Sequence, residues 1–99
     1  MFAVIGTFRL PHERVAEALP LMHRVIEATL QEPGCRAYSY AEDVAEPGLF
    51  RVMEIWESRE ALDAHFNTPH MRDWAARRDR LGFSDRRISL FPLGMGEEL

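Results

Sequence analysis

The stretch CRAYSYAEDVAEPGLFRVMEIWE, Cys35 to Glu57, decides the fold. Tyr38 and Tyr40 alternate with Ala37, Ser39 and Ala41, and Phe50, Val52, Glu54 and Trp56 alternate with Arg51, Met53 and Ile55. A period of two predicts strands over about 35–42 and 49–57. Between them, Glu46-Pro47-Gly48 reads as a turn, with Pro preset for its first corner and Gly for the next. Two such runs joined by a short loop form an antiparallel hairpin.

Working toward the N-terminus, Glu32-Pro33-Gly34 stops a helix that Pro11 opens, predicted over about 12–31. Val15, Leu19, Met22, Ile26 and Leu30 form its apolar stripe, widened by Ala18 and Val25. Pro20 lies on the polar side, where water satisfies the freed carbonyl, so a bend rather than a break is expected. Residues 2–9 read as a strand with apolar residues at both parities, covered on both faces. Toward the C-terminus, Ser58 caps a short helix over 59–66. Thr68 at the N-cap and Pro69 at the first helical position start another over 69–81, with Met71, Trp74, Ala75, Arg78 and Leu81 on one side. Gly82 ends it, a last strand follows over 86–91, and Pro92 to Gly96 is a loose tail.

The order β-α-β-β-α-β, with its second helix broken, predicts one α+β domain of the ferredoxin-like class, a four-stranded antiparallel sheet with helices on one face. The face without helices holds side chains such as Met53 and Ile55 or their opposite parity. An apolar surface of that kind points to a homodimer pairing sheet against sheet.

With 99 residues, the length suits one domain. Arginine supplies all 12 positive charges and the net charge is −4, which argues against a nucleic-acid partner. The uncharged, largely apolar run Met1 to Phe8 is far shorter than the ~20 residues of a spanning helix. One cysteine allows no internal disulfide, and nothing resembles a signal peptide, so a cytoplasmic protein is expected. No G-x-S-x-G, phosphate-loop or G-x-G-x-x-G run occurs.

The run Glu32-Pro-Gly-Cys35, then Tyr38, Glu54-Ile-Trp56, Ala61-Leu-Asp-Ala-His65, Thr68-Pro-His70 and Trp74 resembles the antibiotic biosynthesis monooxygenase domain family, over nearly the whole chain. The resemblance implies a dimeric α+β barrel of two ferredoxin-like subunits. It also implies a place among oxygenases of quinols and anthrones that work with neither metal nor flavin. Haem-degrading relatives depend on a strand-1 Asn, a helix-2 Trp and a haem-ligating His. Here those places hold Ile5 or Thr7, His65 and Ala75, so haem is not expected, and no cofactor is.

Cofactor-free oxygenation needs a base of near-neutral pKa to deprotonate a phenolic substrate, plus an aromatic, apolar cleft. His65, just before the helix break, is the candidate base. Glu54, on a strand face where an apolar residue is expected, is the candidate to orient it. A buried ion pair with an arginine, or hydrogen bonds from nearby backbone, is the competing account of Glu54. Trp74, Tyr40, His70, Asn67 and Trp56 are the candidate substrate-binding residues, although ordinary core packing or, for His70, solvent exposure competes for them. His65 and His70 are five apart with Pro69 between, not a zinc spacing, and no metal is expected. His12 and His23 read as surface residues, and Cys35 as a small buried hydrophobe. The Arg72 to Arg87 zone, interleaved with Asp73, Asp79 and Asp85, reads as a solvated, ion-paired helix face. The partners are then a second copy, a small aromatic substrate and O₂. Two alternatives share the scaffold: an isomerase using the same histidine without O₂, and a dimer that binds an aromatic metabolite without turnover.

Overall fold

A computed structural model describes all 99 residues. The elements are β1 (Phe2–Arg9), a 3₁₀ turn over His12–Arg14, α1 (Val15–Leu30), β2 (Cys35–Glu42), β3 (Leu49–Trp56), α2 (Arg59–Phe66), α3 (Pro69–Arg80) and β4 (Ser84–Pro92). The sheet order is β2-β3-β1-β4, with every neighbouring pair antiparallel. This is the ferredoxin-like α+β arrangement. No helix is long and apolar enough to cross a membrane.

Local chemistry explains the element ends. The Ser58 hydroxyl accepts from Ala61 N, and the Thr68 hydroxyl accepts from Met71 N while donating to the His65 carbonyl. Gly82 takes φ +82 after α3, and Phe83 N closes onto the Arg78 carbonyl. The last strand starts two residues before its expected Arg86. Ser84 pairs with Arg9 around an irregularity, and Asp85 absorbs it with φ 52, a conformation aspartate tolerates better than most residues.

Val4, Phe8, Phe50, Val52, Glu54, Trp56, Tyr38 and Tyr40 face the helices. A larger core cluster centres on Phe8, Phe50, Met22, Val25 and Trp74, and a smaller one on Val4, Tyr38, Trp56 and Leu62. The ring of Phe8 touches those of Tyr40, Phe50 and Phe83. The stripe of α1 is rotated from the expected one. Ala18, Met22, Val25 and Thr29 are buried, while Leu19 and Leu30 are exposed. Thr29 fits the core because its hydroxyl donates to the Val25 carbonyl at 2.6 Å, leaving only its methyl to pack. Pro20 is exposed and does not divide α1.

The parity of the helix-free face is settled. Ile5, Met53 and Phe91 stand 51%, 41% and 48% exposed there, so within one chain the middle of β1, at Ile5, is covered on its helix side alone.

Candidate active site

A cavity lies between the sheet and the α2–α3 unit. Phe8, Tyr38, Tyr40, Val52 and Glu54 form its floor, and His65, Phe66, Met71, Trp74 and Arg78 its roof. Phe83, Arg86 and Ile88 close one side. It offers about 20 Å³ to the centre of a water-sized sphere, space for roughly a single water. Phe66 and Arg86, both exposed, mark its mouth.

Of the expected site residues, His65, Glu54, Trp74 and Tyr40 meet at this cavity. Trp56 does not. It is wholly buried in the smaller core cluster, and its indole N–H donates to Glu54 Oε1 at 2.9 Å. Asn67 is exposed at the end of α2, donating to the Asp63 carbonyl. His70 is half-buried and borders a separate cleft between α1 and α3. His12 and His23 are exposed, as expected.

Glu54 is not the carboxylate that holds His65. Its hydrogen-bond partner is Trp56, and His65 Nδ1 instead meets Glu32 Oε2 at 2.8 Å. The same oxygen receives His70 Nε2 at 2.7 Å. Glu32 reaches this place through its own turn. Gly34 adopts φ +83, and a Cβ there would come within 2.7 Å of Ala61 Cβ, so the turn lies directly against α2. His65 stands one helical turn beyond Ala61, over the Glu32 carboxylate. The histidines converge because the helix breaks between them. On one continuous helix, residues five apart point roughly 140° away from each other. Thr68 and Pro69 restart the chain in a new direction and bring both rings to one oxygen. The spacing argument against a ligand cluster fails for that reason: Glu32, His65 and His70 place one ligand atom each within 4.8 Å of one another.

The electrostatics follow from burial. Burial lowers the His65 pKa, with Glu32 opposing, so the ring is neutral at physiological pH. With Nδ1–H donated to the Glu32 carboxylate, Nε2 carries the lone pair. Burial raises Glu54 to about 6, against the Trp56 hydrogen bond and the Arg86 charge. Burial also raises Tyr38 far above the ordinary phenol range and Tyr40 to about 12, so both stay protonated, their hydroxyls 2.6 Å apart. Cys35 is pushed up to about 11, again by burial, which leaves it an inert thiol.

Three buried polar atoms have no hydrogen-bond partner: His65 Nε2, Trp74 Nε1 and Arg78 Nε. All three residues line the cavity. Arg78 departs from the expected solvated face. It is half-buried, forms no ion pair, and lies 4.2 Å over the Phe83 ring and 5.9 Å from that of Trp74. Its neighbour Arg77 does behave as expected, pairing with Asp73 at 2.8 Å. Sequence reasoning missed Glu32 and Arg78 as site residues. Signals existed: Arg78 follows Trp74 by four on the buried stripe of α3, and Glu32 opens the Glu-Pro-Gly turn.

The sequence profile of the family described as Antibiotic biosynthesis monooxygenase matches residues 1–77. The protein sll1783 of Synechocystis is 30% identical over 97% of this chain, which spans only 65% of that relative's length. The Escherichia coli protein named probable quinol monooxygenase YgiN is 33% identical over 76% of this chain and 82% of its own. A crystal structure from Deinococcus radiodurans, described as a candidate antibiotic biosynthesis monooxygenase, superposes with a TM-score of 0.92 at 27% identity, covering 100% of this chain and 98% of that one.

Proposed function

The chain belongs to the antibiotic biosynthesis monooxygenase family, and from that premise we propose a cofactor-independent monooxygenase acting on a small aromatic substrate of the quinol or anthrone type. The observation that carries this reading is the trio of unpartnered polar atoms on one aromatic cavity. Buried polar groups in proteins are almost always paired, so three orphans on one void argue for a polar ligand.

The chemistry needs an acid proton removed, an anion held and O₂ admitted. His65 Nε2, its ring oriented by Glu32, takes the first proton. The indole N–H of Trp74 and the guanidinium of Arg78 hold the oxyanion that results. The electron-rich anion passes one electron to O₂, and the radical pair joins to form a C–O bond. For an anthrone-type CH₂, protonated His65 returns its proton to the peroxide. Glu54 takes the second C–H proton as the O–O bond breaks and passes it to the departing hydroxide, which leaves as water. The balance is R₂CH₂ + O₂ → R₂C=O + H₂O. The tyrosine pair and Phe8 wall the ring system. A planar substrate exceeds the present void, so Phe66 at the mouth moves aside on binding.

We also propose that two copies pair through the helix-free sheet face, where Ile5, Met53 and Phe91 are exposed.

O₂ uptake with a panel of hydroquinones and anthrones tests the activity, with an anaerobic control that exposes isomerisation. Uptake above background is expected, falling by about 100-fold or more in His65→Gln, the usual worth of a general base. Turnover that persists without O₂, or is unchanged in His65→Gln, refutes the assignment.

A further inference from the structure

Three ligand-type side chains meet on the side of His65 that faces away from the cavity, and the proposed chemistry uses only two of them. His65 Nδ1 lies 2.8 Å, and His70 Nε2 2.7 Å, from one oxygen of Glu32. The second imidazole is unnecessary for orienting the first. It leaves one carboxylate oxygen shared by two rings.

We propose that Glu32, His65 and His70 form a three-ligand site for a zinc-class divalent cation, and that its occupancy switches the base off. Two imidazole nitrogens and a carboxylate are a donor set suited to zinc and its borderline neighbours, with a fourth position left for water. Zinc–ligand bonds of roughly 2.0–2.1 Å in a tetrahedron put donor atoms about 3.3 Å apart. The two contacts to Glu32 need to widen by about half an ångström, and the two imidazole nitrogens, within 4.8 Å of one another, to settle at that same spacing. Access is present: His70, 24% exposed in its side chain, borders the open cleft between α1 and α3, with Glu27 and Asp73 on its walls beside Arg24.

The consequence lies on the far side of the ring. A cation on Nδ1 forces the proton of His65 onto Nε2, the atom that faces the substrate cavity. The ring then donates where it had accepted. This second half rests on His65 being the base; the metal site itself does not.

Zn²⁺ binding to chelator-treated protein, measured by calorimetry and repeated with Co²⁺ for its visible absorption, tests the site. One equivalent is expected, with the intense bands of a low-coordinate cobalt centre. Removing an outer-shell partner of a metal ligand costs about 10–100-fold in affinity, so His70→Ala and Glu32→Gln should each lose at least about 100-fold. Long-range proton–nitrogen NMR of His65 should show Nδ1–H in the free protein and Nε2–H with Zn²⁺ bound. Binding no tighter than millimolar, binding indifferent to both substitutions, or an unmoved tautomer overturns the proposal. None of these readouts depends on turnover, so failure of the oxygenase reading would leave them intact.

Discussion

Burying Glu54 sets a pH dependence with a definite sign. Its carboxyl sits at about 6 in the folded chain against an ordinary 4.5. Below the lower value it is protonated in both states and costs nothing as a charge. As pH rises through the higher value, the native state must hold a buried carboxylate, flanked by Trp56 and Arg86, and stability falls. At 1.36 kcal/mol per unit, that loss is on the order of 2 kcal/mol. Glu54→Gln keeps an acceptor for the Trp56 indole. Urea denaturation should therefore find it gaining on wild type by up to about 2 kcal/mol near pH 7.5, with the gain absent near pH 4. A difference independent of pH would remove burial as the cause. Arg78 makes a contrasting case, since its head group touches aromatic rings and no acid. Arg78→Met fills the same stripe with an apolar chain, so stability should hold. Loss of an oxyanion donor typically lowers kcat by about 10²–10³, and steady-state O₂ uptake checks it. The sequence marked His65 by its place before the helix break, Glu54 by its place on an apolar strand face, and Trp74 and Tyr40 as aromatics with polar tips. It did not mark Glu32 as a site residue, because a carboxylate in a helix-ending turn is ordinarily solvated.

At the level of elements, the site depends on two irregularities. One is the α2–α3 break at Thr68-Pro69, and the other is the turn that presses Gly34 on Ala61. Gly34→Ala adds a methyl where the backbone has φ +83 and where Ala61 Cβ would lie 2.7 Å away. The left-handed conformation alone costs a residue with a Cβ about 1–2 kcal/mol, and the close contact adds to it. The variant should lose more than about 1 kcal/mol in urea melts. It should also lose turnover beyond its unfolded fraction, because the turn carries Glu32 away from His65. Stability loss with full activity per folded molecule would detach Glu32 from catalysis. The starts of α2 and α3 were legible in the chain, because caps and prolines act locally, whereas the last strand begins two residues before its expected start. The stripe of α1 was less legible. Leu19 and Leu30 fit the helical period as well as Val25 and Thr29 do, and only the position of the sheet chooses between them.

For the whole molecule, the unshielded face carries the dimer proposal. Ile5 and Met53 are cross-strand partners on adjacent β1 and β3, both substantially exposed. Static light scattering at micromolar concentration should return twice the chain mass. Ile5→Asp, which puts a charge at the centre of that face, should halve it while leaving the circular dichroism of the fold in place. A wild-type particle of single-chain mass would end the dimer proposal.

Pattern and punctuation in the chain alone determined the order of elements, the sheet and the family resemblance, and singled out His65 as a candidate. Each of these is encoded within a few residues, by alternation, helical period or a cap. Only the tertiary structure decided which carboxylate serves His65, that His70 joins it, and that Arg78 faces a cavity. Those contacts join residues 33 and 38 positions apart, or rings on different elements. No local period carries the directions in which packed helices aim their side chains.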